Sequence, residues 1–275
     1  MASHWAALLR ERGVRPVVVS MGRGGPARPR LARTGTSLAE LLGIVAAGGH
    51  GASDYLETAT LVGVAAVGCR RVGGGLAGEP FRSNVVQGAR LAASLEPGAI
   101  VFDGSGASIP PVAVDRTVCV VGDRAGALGE LGPYRLLRAD LALVPELVED
   151  PGLADEVAEL GARVVRFELR QEPVEPIPPG ARVALFTTAA VPAPAGIEPR
   201  VRSANLARRG PLGGDLARAR AERCDVYLTE LKAAAIDTVA TQARDVGARV
   251  VFLRNRPIGL DSDLDRELLR LHEQA

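Results

Sequence analysis

Lysine is all but missing from this sequence: Lys232 is the only one, so nearly all of the 33 basic residues are arginine. An arginine-favouring codon bias accounts for most of that, but any chemistry that needs a lysine then has one candidate. Aromatic side chains make up only 3% of the 275 residues, which disfavours base-stacking platforms and aromatic carbohydrate sites. Neither sign of charge dominates, with 33 Lys+Arg against 32 Asp+Glu, and this argues against a dedicated nucleic-acid binder. The three cysteines, Cys69, Cys119 and Cys224, lie far apart within apolar runs. They read as small buried hydrophobes, not as a disulfide framework, a Cys-x-x-Cys metal site or a nucleophile. No apolar run approaches the roughly 18 residues of a membrane span, and the N-terminus lacks a signal-peptide pattern. The expectation is a protein of the cytoplasm with no membrane and no nucleic-acid partner.

What is present is a 47% apolar chain, long enough for one large or about two ordinary α/β domains. Short apolar strands are expected at 16–21, 64–69, 99–102, 117–121, 141–144 and 163–167. Helices are expected at 3–12, from Ser37 to about 47, near 54–61, and at 84–95 and 153–160. Ser37 followed three residues later by Glu40 has the form of a capping box. Beyond the four-proline stretch 171–180, read as a linker, strands at 183–187, 225–229 and 249–253 alternate with helices at 214–222, 233–246 and 263–272. This alternation predicts an α/β protein, a mostly parallel sheet with helices on both faces. Residues 1–170 form the expected larger domain and 171–275 a smaller α/β domain.

Ligands of open parallel sheets bind beyond the carboxyl ends of the strands, so the loops there rank first. Arg70-Arg71-Val72-Gly73-Gly74-Gly75 joins two fork-shaped donors to glycines whose backbone N–H groups can approach an anion. The alternative is a flexible loop with solvated arginines; the pairing of the two features favours an anion site. Asp103, between an apolar strand and Gly104-Ser105-Gly106, stands where nucleotide-hydrolysing enzymes place a Mg²⁺-binding carboxylate. A turn-forming Asp explains the spacing equally well. His50 and Asp54 are candidate substrate contacts, although the glycines flanking His50 point to a plain loop. Lys232, after the strand at 225–229, is either a phosphate contact or a solvated helix-end lysine. Arg254-Asn255-Arg256-Pro257, after the next strand, could complete the same face. Gly22-Arg23-Gly24-Gly25-Pro26 is a further glycine-arginine loop.

Taken in order, several segments resemble the cyclic 2,3-diphosphoglycerate synthetase family. They are Ser20-Met21-Gly22-Arg23-Gly24-Gly25-Pro26, Gly51-Ala52-Ser53-Asp54-Tyr55, Gly68-Cys69-Arg70-Arg71 through Gly78-Glu79, Asp103-Gly104-Ser105-Gly106 with Ile109-Pro110-Pro111, Gly132-Pro133-Tyr134-Arg135 and Glu230-Leu231-Lys232-Ala233-Ala234-Ala235. The resemblance implies ATP and Mg²⁺ used to close 2,3-bisphosphoglycerate, a phosphorylated three-carbon acid, into its cyclic phosphoanhydride. It implies Arg70, Arg71 and Gly73, Gly74 and Gly75 at the substrate phosphates, with His50 and Asp54 as lesser contacts. Asp103 would serve as metal ligand and catalytic carboxylate, and Lys232 as a second catalytic residue, an auxiliary phosphate ligand. It also implies a P-loop NTPase-like core. Because the chain has no Gly-x-x-x-x-Gly-Lys followed by Ser or Thr, and Lys232 precedes Ala233, that core is expected without its first strand and phosphate loop. ATP turnover by these residues alone is then not expected. A phosphoglycerate kinase-like phosphotransferase and a non-catalytic phosphometabolite-binding protein remain the alternatives. A homo-oligomer is compatible with all three.

Overall fold

The computed structural model describes residues 1–71, 83–104, 108–129, 131–146, 150 and 152–275. Among these the elements run in the order α1 (Ala2–Glu11), β1 (Pro16–Gly22), β2 (Arg30–Ala32), α2 (Leu38–Ala46), α3 (Asp54–Glu57), β3 (Ala65–Arg70), α4 (Val85–Ala93), β4 (Ala99–Asp103) and β5 (Val118–Val120). They continue with α5 (Arg124–Leu128), α6 (Gly132–Leu137), β6 (Leu141–Pro145), α7 (Leu153–Glu159), β7 (Arg163–Pro173), β8 (Val183–Phe186) and β9 (Val201–Ser203). The last are α8 (Arg209–Ala221), β10 (Val226–Glu230), α9 (Thr241–Asp245), β11 (Arg249–Gly259) and α10 (Leu264–Glu273). Two π-helical turns, Thr58–Val62 and Ala235–Ala240, follow α3 and precede α9.

The residues gather into two compact units, Met1–Leu31 with Val64–Arg170 and Pro257–Ala275, and Ala32–Gly63 with Gln171–Arg256. The sequence suggests a single boundary near 171; the contact units are discontinuous and change over at three further places. In the first unit β3, β1 and β4 lie side by side and parallel, with Gly22 opposite Arg70 and Ser20 opposite Asp103. Val17, Val19 and Met21 pack with Val67, Cys69, Val85 and Ala92 beneath α4. That packing needs Gly88, because a Cβ there would stand 2.0 Å from Cys69 Sγ.

β5, β6 and the start of β7 form a parallel layer covered on both faces. Ala142 and Val144 pack toward Ala127, Leu136, Leu153 and Val157 of α5, α6 and α7. Leu141 and Leu143, pointing the other way as strand alternation requires, meet Leu8 of α1 and Leu264, Leu268 and Leu271 of α10. This is the α/β arrangement with helices on both faces that the alternation predicts.

In the second unit β11, β10, β8 and β9 are neighbours in that order, and β8 runs parallel to both β10 and β9. Ala184 and Phe186 bury against α8 and the segment of the second π-helical turn. Val183 and Leu185 bury, on the opposite face, beside Ile177, Ala181, Ala193 and Ile197. The capping box at α2 is formed: the Ser37 hydroxyl accepts from the Glu40 N–H at 3.3 Å and the Glu40 carboxylate accepts from the Ser37 N–H at 2.7 Å. The bond from Ser37 N–H, and after it one from the Ser37 hydroxyl to the same oxygen at 2.8 Å, hold the Glu40 carboxyl below its usual range.

Some expectations need correcting. Residues 171–173 of the expected linker are the end of β7. The helix expected at 233–246 starts as the π-helical turn and becomes α-helical only at Thr241. β2, β9, α5 and α6 are elements that the apolar pattern does not predict.

Candidate functional site

The first site is built where β3, β1 and β4 end together. Arg70 is the last residue of β3, and its backbone is pinned on one edge by Asn84, whose Oδ1 accepts from Arg70 N–H at 2.7 Å while Asn84 N–H donates to Arg70 O at 3.1 Å. The same Asn84 side chain, only 6% exposed, donates from Nδ2 to Pro26 O at 2.9 Å. One amide thus joins the end of β3 to the loop after β1. That loop lies directly on β3: a Cβ at Gly25 would be 1.9 Å from Cys69 O, a contact no side chain tolerates. Arg70 Nε closes the arrangement by donating to Gly25 O at 2.5 Å.

Arg71 N–H donates to Gly22 O at 3.1 Å, and its guanidinium donates to Ser108 Oγ. Ser108 in turn packs against Gly104, where a Cβ would meet Ser108 Cβ at 2.6 Å. Arg71 therefore reaches from β3 to the loop behind Asp103. Its guanidinium is pushed below the usual arginine range, first by burial and second by repulsion from Arg23. Two cations that raise each other's energy across a strand end are stabilised when an anion enters between them. Arg70, Arg71 and Asp103, singled out from the sequence, are thus brought together, and Arg23 joins them from the glycine-arginine loop. Gly73, Gly74 and Gly75 lie outside the described residues.

Asp103 is half-buried and sits opposite Ser20 in the β1–β4 register. The Ser20 side chain is 3% exposed and its Oγ has no hydrogen-bond partner among the described residues. A carboxylate beside a buried hydroxyl lacking a partner fits a Mg²⁺ ion, which takes one or two protein oxygens and completes its shell with water and phosphate.

His50, Asp54 and Lys232 fall in the second unit. His50 is an exposed loop residue whose carbonyl accepts from Ser53 Oγ at 3.2 Å, and Asp54 is the exposed first residue of α3. The loop reading of His50 thus holds. Lys232 sits on a bend two residues beyond β10, short of any helix. Arg254 and Arg256, expected to face the same way, both pair with Glu172.

Around that bend the structure shows a polar cluster for which the residues had given little sign. Glu230, 7% exposed at the end of β10, accepts on Oε2 from both N–H and Oγ1 of Thr188, each at 2.8 Å. Its Oε1 accepts from Gln171 Nε2 at 3.2 Å. At the end of β9, Ser203 Oγ and, two residues on, Asn205 Nδ2 both donate to Asp215 Oδ2, at 2.6 and 2.7 Å. Among the described residues Gln171 Oε1 and Asn205 Oδ1 are buried without a donor, which costs on the order of 1–3 kcal/mol each. Ala233, next to Lys232, has φ +47, a left-handed conformation costing roughly 1–2 kcal/mol outside glycine. The signal for this cluster was a row of Thr, Ser, Asn and Glu at strand ends, hidden because each residue singly reads as turn chemistry.

The three cysteines are buried and unpaired, and burial pushes the Cys69 thiol up to about 11. A groove of about 550 Å³ in the second unit is lined by Pro173–Ala181, Val183 and Gly196–Glu198. It lies at the amino end of β8, the opposite end of that strand from the Glu230 cluster. Among the described residues no helix is long and apolar enough to cross a membrane.

Parallel strands whose adjoining carboxyl ends carry an arginine cluster and a carboxylate present the kind of donors a phosphate group accepts from. The model of the cyclic 2,3-diphosphoglycerate synthetase P-loop domain matches residues 1–168, and that of the C-terminal domain of the same synthetase matches residues 173–256. The chain is 44% identical to the cyclic 2,3-diphosphoglycerate synthetase of Rubrobacter xylanophilus, over 100% of this chain and 67% of that protein. It is 37% identical to that of Thermococcus gammatolerans, over 95% and 64%, and 33% identical to that of Methanothermobacter thermautotrophicus, over 100% and 65%. The chain belongs to the cyclic 2,3-diphosphoglycerate synthetase family. It spans about two thirds of the length of these relatives.

Proposed function

We propose that this chain carries the phosphate-binding and metal-binding machinery of an enzyme that uses ATP and Mg²⁺ to close 2,3-bisphosphoglycerate into its cyclic phosphoanhydride, releasing ADP and phosphate. The observation that carries the reading is the convergence of Arg23, Arg70 and Arg71 with Asp103 at the carboxyl ends of β1, β3 and β4. The names of the relatives support it independently.

The chemical difficulty of this reaction is charge. Two phosphate groups on neighbouring carbons repel, and one must approach the other after it is activated by ATP. Arg70 and Arg71 offset that repulsion with donors fixed before the reaction starts. Arg70 is held by Gly25 and Arg71 by Ser108, so neither guanidinium has to be ordered at the moment of reaction. The segment with Gly73, Gly74 and Gly75 is proposed to add backbone donors. Mg²⁺ at Asp103 and Ser20 Oγ would supply countercharge to the phosphate oxygens. Lys232, His50 and Asp54 belong to the second unit and are proposed as ligand contacts there.

The test is phosphorus NMR of the protein incubated with ATP, Mg²⁺ and 2,3-bisphosphoglycerate. Because the P-loop domain model matches residues 1–168, the shifted signals of a cyclic anhydride, appearing with ADP, are the expected result, and they would overturn the expectation, drawn from the missing Gly-x-x-x-x-Gly-Lys motif, that these residues do not turn over ATP alone. Phosphoryl transfer without those signals would make the chain a phosphotransferase, and binding without turnover a phosphometabolite-binding protein.

A further inference from the structure

The arginine cluster leaves unused the polar group at the carboxyl ends of β8, β9 and β10. The chain runs from β8 to β9 on one side and then returns to place β10 on the other side of β8, with β11 beyond. The β8–β10 pair is therefore a topological switch point, the place in an open parallel sheet where following loops diverge and leave a crevice for a ligand. Glu230 and Thr188 stand at those two strand ends and bond to each other across them. The loop after β9 is tied to the same place, since Leu206 N–H donates to Thr187 O at 3.1 Å and Ala234 N–H to Leu206 O at 3.3 Å.

The inventory of this group is lopsided in a way that describes a ligand. Among the described residues Lys232 has neither an ion pair nor a hydrogen bond, though it is half-buried. Among the same residues Gln171 Oε1 and Asn205 Oδ1 are acceptors without donors. Glu230 Oε1 accepts one bond of 3.2 Å, fewer than a carboxylate oxygen can take. A cation without an anion, beside acceptors without donors, fits one molecule bearing both an anionic group and hydroxyl groups. The backbone there has the left-handed Ala233 and then a π-helical turn, a feature frequent at functional sites.

We infer that the β8–β10 switch point of the second unit is a ligand site distinct from the arginine cluster. It takes a small phosphorylated or carboxylated molecule with free hydroxyls, Lys232 holding the anionic group and Glu230, with Gln171, accepting from the hydroxyls. The inference rests on the reading of Lys232 as an anion contact and not on that of Arg70 and Arg71. A nucleoside monophosphate, through its ribose, and a phosphorylated three-carbon hydroxy acid share this chemistry.

The test is calorimetric titration of the chain with AMP, 3-phosphoglycerate and inorganic phosphate, in the wild type and in an Arg70→Ala/Arg71→Ala background. In that background AMP or 3-phosphoglycerate is expected to bind more tightly than inorganic phosphate, and whichever does so identifies the source of the chemistry. Adding Lys232→Ala should weaken that binding at least tenfold. Adding Glu230→Gln should bring it to the level of inorganic phosphate, whose own binding stays unchanged. Loss of all binding in the double-arginine background overturns the second site and leaves the arginine reading standing. Unchanged binding with Lys232→Ala overturns it as well. Should Glu230→Gln fail to fold, Lys232→Ala alone decides. If Lys232→Ala abolishes binding while the arginine substitutions change nothing, the second site stands and the arginine reading falls.

Discussion

The Arg71 guanidinium donates to the Oγ of Ser108, so a residue just past the end of one strand is held by the loop that follows another, two strands away in the sheet. Ser108 is thereby expected to act on phosphate binding through Arg71. Ser108→Ala should weaken 2,3-bisphosphoglycerate binding about three- to tenfold, the equivalent of one modest hydrogen bond, and should leave the melting temperature close to that of the wild type. Titration calorimetry and a thermal melt measure the two effects.

Asp103→Asn keeps the shape of the side chain and removes the charge that a divalent cation needs. The asparagine variant should lose Mg²⁺-dependent turnover in any preparation where the wild type is active, while 2,3-bisphosphoglycerate still binds in the absence of metal. Normal turnover by the variant would reduce Asp103 to a turn residue.

Gly88→Ala places a methyl carbon where Cys69 Sγ stands 2.0 Å away, and overpacking of this kind costs about 1–3 kcal/mol. Cys69→Ala removes the obstructing sulfur and leaves the nearest Cys69 atom, its Cβ, at 3.7 Å. The two substitutions should therefore be non-additive in urea unfolding, the double variant losing less than the sum of the singles.

Burial pushes the Cys69 thiol up from its ordinary value of 9.0 to about 11. Between those values the folded chain holds a proton that the unfolded chain has released, so stability falls as pH rises from about 9 to 11. Unfolding free energies across that range should decline in the wild type and decline less in Cys69→Ala. At neutral pH the native thiol should resist alkylation and react only on unfolding.

Strand-end chemistry was the most legible part of the sequence. Arg70, Arg71 and Asp103 each follow an unbroken apolar run, and parallel packing of those runs is enough to bring their ends together. Asn84 was not legible as a site residue. At a helix start it reads as a cap, yet it makes no side-chain cap bond and is spent on Arg70 and Pro26. β9, at three residues, is too short to show alternation, and the far ends of β7 and β11 carry exposed charges such as Arg170 and Arg254 that break the apolar pattern. A π-helical turn buries apolar residues at spacings close to those of an α-helix, so 233–246 reads as one helix. The grouping of Ala32–Gly63 with Gln171–Arg256 leaves no mark in composition, because it arises from contacts between segments far apart in the chain.

The central claim is that the arginine cluster at the ends of β1 and β3 holds the substrate phosphates, and titration of 2,3-bisphosphoglycerate into the Arg70→Ala/Arg71→Ala chain tests it most directly. Each charge-assisted bond lost is worth about 1.5–3 kcal/mol, so the affinity should drop at least tenfold relative to the wild type. Part of the stability is also at stake through the Arg70–Gly25 bond, and a thermal melt run beside the titration keeps that effect separate. Wild-type affinity in a folded double variant would contradict the account.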